Sequence, residues 1–267
     1  MSNPSSQRAV PHTLEPQGSP VQFFDSAFVA LLLALLIAMT LGRHVVVDGP
    51  AAGSVVWDQE TWRFMHDVAK GLLMPLLLLR TYFGTGGFSK TGLSGHGVRF
   101  WVSWAMVLCW VGDLALTRSG STAFLIGLSA FLLGHFGYIM AFRNLAKAHS
   151  MAAVASRRRL VVGLTLLAVI IGLGVLLVPG AGEMAPAVLV YSAVIAAMAF
   201  TAWTLDPSLR GVKWLAWGAI IFMSSDMMIA FNKFYAPFWG AQQGVMITYA
   251  AAQWMIAQGV YLLMKRD

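Results

Sequence analysis

Apolar stretches recur eight times along this chain, at about residues 24–42, 66–83, 100–117, 122–142, 160–178, 186–205, 213–231 and 243–264. Each approaches the roughly 20 residues that a helix needs to cross a hydrocarbon core about 30 Å thick. No water reaches such a core to satisfy backbone N–H and C=O groups, so the stretches are expected to be helices. The fold class expected is all-α, a polytopic membrane bundle of eight transmembrane helices. Composition points the same way, with 58% hydrophobic and only 11% charged residues and a mean hydropathy of +0.71, which ordinary soluble domains do not match.

Residues 1–22 are rich in Pro, Ser and Gln and read as a disordered cytoplasmic tail, with 23–267 forming one membrane domain. The polar region is too long, and the apolar run behind it long enough to span, for a cleaved signal peptide to be expected. Alternate connections divide the cations unequally. Arg8, Arg80, Lys90, Arg99, Arg143, Lys147, Arg157, Arg158, Arg159, Arg210, Lys213, Lys265 and Arg266 fall on one side, against Arg43, Arg63, Lys70, Arg118 and Lys233 on the other. The positive-inside rule then places both termini in the cytoplasm, in what is expected to be a bacterial inner membrane. Trp101, Trp104, Trp203, Trp214 and Trp217 fall at the cytoplasmic interface, and Trp57, Trp62 and Trp239 at the outer one.

The net charge of +7 is that of basic loops facing anionic headgroups. No basic, aromatic-interleaved soluble surface suggests nucleic acid, and no protein partner is predicted; the partners expected are the bilayer and a lipid. Cys109 is the only cysteine, so no intrachain disulfide or thiolate cluster can form.

The longest outer connection runs from Arg43 to about Gln59, with His44 to Asp48 read as a non-helical exit. From Asp58, an N-cap candidate, helical spacing resumes with Arg63 and Asp67 four apart. This segment either lies along the interface or extends the second span. Small residues such as Gly127, Gly134, Gly163, Gly172 and Gly174 suit close helix packing.

A carboxylate inside a span costs about 2.5–3.5 kcal/mol on insertion scales. Asp226 stands in the apolar run 218–234 beside Ser224 and Ser225, and Asp113 near the outer end of the third span. At about 1.5 Å of rise per residue, Lys70, Tyr191, Tyr249 and Gln253 fall in the same outer layer as both acids. His135 and Tyr138, one turn apart, fall about 20 Å from the outer end and are expected to floor a cavity or to bond a neighbouring helix. The other histidines are scattered, with no His-x3-His pair, so no metal is expected. No Gly-x-Ser-x-Gly elbow appears, and Ser224 and Ser225 lack a matched base. Two carboxylates, a lysine and neutral hydrogen-bonding groups remain, which is equipment for acid–base chemistry, for a proton relay, or for gluing helices together.

Several pieces resemble the lysoplasmalogenase (YhhN-like) family of eight-helix membrane hydrolases. They are Lys70 with Pro75, the Gly112-Asp113-Leu114 step, Gly134-His135-Phe136-Gly137-Tyr138, YSAVIAAM from Tyr191, GAIIFMSSDMMIA from Gly218 and YAAAQWMIAQ from Tyr249. They span most of 66–264 in order. The tail and the long first outer connection look like additions to the family core, and Lys70 stands further from Pro75 than the pattern has it.

The resemblance implies hydrolysis of the vinyl ether bond of a lysoplasmalogen, a lysophospholipid, to a fatty aldehyde and a glycerophospho-ethanolamine or -choline, without a cofactor. Such cleavage needs one protonated and one ionised carboxyl, as glycoside hydrolysis does. Asp226 is expected as the acid and Asp113 as the carboxylate, with the reverse assignment open. Lys70, His135, Tyr138, Tyr191, Ser225, Asn232, Tyr249 and Gln253 are the expected supporting or substrate-binding residues. A proton-coupled transporter and a purely structural membrane protein are the alternatives; aldehyde release separates them from the hydrolase.

Overall fold

A computed structural model describes residues 19–48, 59–86, 93–151 and 154–265. They form eight α-helices: α1 (Pro20–Asp48), α2 (Gln59–Gly84), α3 (Leu93–Leu116), α4 (Ser121–Ala148), α5 (Ser156–Ala181), α6 (Ala185–Trp203), α7 (Arg210–Phe234) and α8 (Ala241–Met264), with a short 3-10 turn between α5 and α6. Strands are absent among the described residues.

Five stretches are long and apolar enough to cross a membrane: Pro20–Thr40, His96–Leu116, Ser121–Ala148, Ser156–Trp203, which holds both α5 and α6, and Arg210–Phe234. α2 and α8 fall short by composition because they carry the polar side chains of the interior, among them Lys70 and Arg80 on α2 and Gln253 and Gln258 on α8. The molecule is thus a helical bundle of membrane type, with five qualifying stretches where eight were expected.

Several boundaries differ from the apolar count. α1 starts at Pro20, inside the stretch read as tail, because Pro is at home in a first helical turn. Residues 1–18 lie outside the described residues. The backbone of 44–48 is helical rather than a non-helical exit. Asp58, Trp57 and the side chain of Trp62 lie outside the described residues, but α2 is continuous from Gln59, so the polar segment lengthens the second helix.

α1 with α2, α3 with α4, and α7 with α8 pack as antiparallel hairpins, and α2 closes onto α3 and α8. α4 packs on α3 and α6, whereas α5 packs on α6 and α7; α4 and α5 are consecutive but do not close on each other. Glycine permits a close crossing of α7 and α8, where a Cβ on Gly211 would fall 2.5 Å from the Gly259 carbonyl. The outward side of α5, with Leu160, Leu164, Ile171 and Val175, is exposed and largely apolar, as a lipid-facing surface would be.

Arg80 is not the loop charge the sequence suggests. It is buried within α2, where its Nε donates to Asp25 Oδ1 of α1 at 2.5 Å, its Nη2 to Asp25 Oδ2 at 3.3 Å, and Nη2 also to Gln258 of α8. Trp254 Nε1 donates to the same Asp25 at 2.7 Å. Lys70 is likewise buried. Removing one cation from each side leaves the charge asymmetry of the connections unchanged in sign. Trp104, midway along α3, and Trp217, two turns into α7, are exposed, as is Trp239 between α7 and α8.

Candidate active site

Asp226 reaches the interior because α7 places it one turn after Phe222, on the face turned towards α4, α6 and α8. The Tyr191 hydroxyl of α6 donates to Asp226 Oδ2. His135 Nε2 of α4 lies 3.5 Å from the same oxygen, an electrostatic neighbour beyond good hydrogen-bond range. Neither nitrogen of this fully buried imidazole has a hydrogen-bond partner. Its ring packs edge-on to Phe222 at 4.7 Å and to Tyr191 at 5.3 Å. His135 therefore stands beside the carboxylate rather than at a distant floor, because α4 runs deeper past α7 than equal helix ends would allow.

Asp113 of α3 is held by the Tyr249 hydroxyl of α8, which donates to Oδ2 at 2.7 Å. The charge of Lys70 acts on it through space, although no ion pair joins the two directly. The two aspartates also lie within electrostatic reach of each other. Phe222, fully buried, stands among His135, Tyr138 and Tyr249, and Phe131 meets both Tyr249 and Phe222 edge-on. The Tyr138 hydroxyl donates to Gln253 Oε1 of α8, while the buried amide nitrogen of Gln253 has no hydrogen-bond partner.

The fold thus brings together Asp113, Asp226, Lys70, His135, Tyr138, Tyr191, Tyr249 and Gln253. Two expected supporting residues are elsewhere engaged. Ser225 Oγ donates to the Val245 carbonyl at 3.1 Å, tying α7 to α8. Asn232 Oδ1 accepts the Phe238 N–H at 3.3 Å and so caps the turn after α7. Both do packing work, since a hydroxyl or amide near a helix–helix junction is most easily satisfied by the adjacent backbone. Among the described residues no group of three or more His, Cys, Asp or Glu converges as a metal site.

A narrow cavity opens beside Asp226; the space it encloses together with its open surroundings is about 700 Å³. Its polar wall is Asp226, Tyr191 and Ser192; the remainder is apolar, including Phe124, Leu128 and Phe131 of α4 and Val169, Ile170, Leu173 and Leu177 of α5. Asp113 does not line it. The unclosed seam between α4 and α5 forms one side. Lining residues run from Phe234, at the end of α7, to Met223. Asp226 is thus about 12 Å from that end, and only about 4–5 Å of cavity lies beyond it.

Phe131, Phe222 and Ser192 escaped the sequence reading. Phe131 and Phe222 precede His135 and Asp226 by four residues, so a search for aromatics one turn from each polar residue would have found them. Ser192 carries no such signal, and its hydroxyl bonds back to Val188 O at 2.8 Å.

Fold and site together define a class, a helical bundle of membrane type with buried acids beside an apolar cavity. Within that class, the chain belongs to the YhhN family, whose model matches residues 65–260. It is 33% identical over 166 residues to proteins of Mycobacterium bovis and Mycobacterium tuberculosis, each named lysoplasmalogenase, with 61% of this chain and 61% of each relative covered. It is 29% identical over 206 residues to Lysoplasmalogenase TMEM86B of Sus scrofa, covering 76% of this chain and 77% of that protein. The chain therefore spans about 61% of the length of the two mycobacterial relatives it matches. No solved structure matches it.

Proposed function

We propose that this chain is a lysoplasmalogenase-type hydrolase, cleaving the vinyl ether of a lysoplasmalogen to a fatty aldehyde and a glycerophospho-ethanolamine or -choline. The observation that carries the reading is Asp226, a buried acid on the wall of an otherwise apolar cavity, with a tyrosine hydroxyl and a histidine at the same oxygen. Family membership and the names of the relatives support it.

In this mechanism the protonated Asp226 gives its proton to the β-carbon of the vinyl ether. The C=C electron pair forms the new C–H bond, and the ether oxygen shares the resulting positive charge. The carboxylate left behind faces that cation. Water adds to the charged carbon, and the Asp226 carboxylate formed in the first step is the wall group placed to accept its proton. The hemiacetal then collapses: its C–O bond to glycerol breaks, the glycerol oxygen takes a proton, and the aldehyde is released. The sum is one vinyl ether and one water converted to one aldehyde and one alcohol. Asp113 lies behind the wall, so its part is electrostatic, a second negative group that favours the cation from a low-dielectric site. Tyr191 fixes the carboxyl orientation, and Tyr249 does the same for Asp113. Lys70 tempers the field at Asp113, and the Tyr138–Gln253 pair holds α4 against α8 beneath the site.

The cavity ends too soon beyond Asp226 to hold an extended alkenyl chain along the helix axes. The chain is therefore placed through the α4–α5 seam, among the lipid tails. All eight helices are taken to cross the bilayer, since even the shortest, α6 with 19 residues, spans about 28 Å. Both termini are assigned to the cytoplasm of a bacterial inner membrane, which puts the cavity mouth at the outer leaflet.

The test is aldehyde release by purified protein from a vinyl ether lysolipid, with the saturated alkyl ether analogue as control. Release from the vinyl ether alone is expected, because the analogue has no double bond to accept the proton. A folded protein that releases no aldehyde overturns the reading.

A further inference from the structure

Lys233 remains outside the chemistry described so far, yet its position is constrained. It follows Asp226 by seven residues, close to two full turns of α7, so the two side chains leave the same face of the helix about 10.5 Å apart along its axis. Its backbone belongs to the last turn of α7, next to Phe234, which lines the cavity. Its ammonium is held over the ring of Phe124 with Nζ 4.3 Å from the centroid. Phe124 and Phe234, themselves packed edge-on at 5.9 Å, both line the cavity. A cation is thus stationed on the rim of an apolar cavity whose only charged wall residue is the carboxylate two turns below.

We propose that Lys233 binds the phosphodiester of the lysolipid headgroup and sets the depth at which its vinyl ether meets Asp226. The proposal rests on the hydrolase reading for its substrate. Seven bonds separate the protonated carbon of a 1-alkenyl glycerophospholipid from phosphorus: two through the vinyl ether to its oxygen, three through glycerol to its third carbon, and two to the phosphorus. At the reach per bond of an extended backbone, this is about 9 Å. This span is comparable with the axial separation of about 10.5 Å between the Asp226 and Lys233 backbone positions, so with the carbon at Asp226 a phosphate oxygen comes within reach of the rotatable lysine stem. Phe124 keeps the ammonium over the mouth rather than out in water. A lysine suits this task because a point charge on a rotatable stem accepts ethanolamine and choline esters alike and reads only the phosphate. Lys70, a cation considered for the same role from sequence, is excluded from it by geometry, since it is buried against Asp113 and absent from the cavity wall.

The experiment compares wild type, Lys233→Gln and Lys233→Arg on a vinyl ether lysophospholipid and on a 1-alkenylglycerol that lacks phosphate. Arg63→Gln, an exposed charge on α2 away from the cavity, controls for net charge. Lys233→Gln is expected to raise KM about tenfold for the phospholipid, which is about 1.4 kcal/mol, with kcat within about twofold. Lys233→Arg restores most of the loss, and the alkenylglycerol shows no difference between the three proteins. Equal KM values on the phospholipid, or equal losses on both substrates, overturn the proposal. A binding arm uses the non-cleavable alkyl ether lysophospholipid, so it decides the matter even where no aldehyde is released. There Lys233→Gln weakens binding tenfold if the proposal holds and leaves it unchanged if it does not. Inorganic phosphate added at the lipid concentration should not displace the lipid; displacement would show that Lys233 holds free phosphate instead.

Discussion

Asp25 and Asp226 are both carboxylates set among the helices of one bundle, and their surroundings are opposite in kind. Asp25 faces a guanidinium in a two-point contact, a tryptophan N–H and, through Arg80, an amide from a third helix. The rings of Trp254 and Tyr261 lie 5.6 and 5.9 Å from the same guanidinium. Asp226 has a phenol hydroxyl and an imidazole at 3.5 Å, and no guanidinium or ammonium within ion-pair distance. A buried ion whose charge is matched by its neighbours has little left to offer a ligand. An acid surrounded by neutral groups on a cavity wall can still exchange its proton. The contrast separates the polar cluster that assembles the bundle from the one that performs chemistry.

Four substitutions test that division. Asp226→Asn should lower aldehyde release by about 10²–10⁴-fold while the thermal midpoint in detergent holds or rises. A collapse of stability with activity per folded molecule intact would invert the comparison. Arg80→Met should do the reverse, costing about 3 kcal/mol of stability, the lower end for breaking a buried pair because Asp25 keeps partial access to solvent. Activity normalised to folded protein should stay unchanged, and adding Asp25→Asn should restore part of the stability. Tyr191→Phe removes one hydrogen bond to a carboxyl, so turnover should fall by about tenfold, equivalent to about 1.5 kcal/mol, with little change in unfolding. Asn232→Ala should be the mildest, within about 0.5 kcal/mol in stability and silent in the aldehyde assay; a large activity loss would return Asn232 to the site.

Much of this was legible in the chain because the signals were local. Runs of apolar residues marked all eight helices, and single acids inside them marked Asp113 and Asp226, since an isolated carboxylate in an apolar run is visible without any knowledge of its neighbours. Even depth estimates from helical rise brought Tyr191, Tyr249 and Gln253 to the right layer. What failed depended on distant partners or on helix offsets. Arg80 reads as a loop charge until Asp25, 55 residues earlier, is placed beside it. His135 reads as too deep until α4 is set against α7. Ser225 and Asn232 read as site residues by proximity to Asp226, whereas each is taken by a backbone group that only the α7–α8 junction supplies. The difference between the two aspartates was also invisible, because which acid faces the cavity depends on where α5 and α6 leave space.

The Asp25 cluster also sets an order on biosynthesis. Asp25 lies in α1, whereas Trp254, which donates to it, leaves the ribosome 229 residues later. At 5–20 residues per second, about 10–45 s pass between them. During that interval α1 has Arg80 but neither the Trp254 indole nor the Gln258 amide that Arg80 also engages. Seating of α1 is therefore completed by α8, and a chain halted before α8 keeps this polar cluster unfinished.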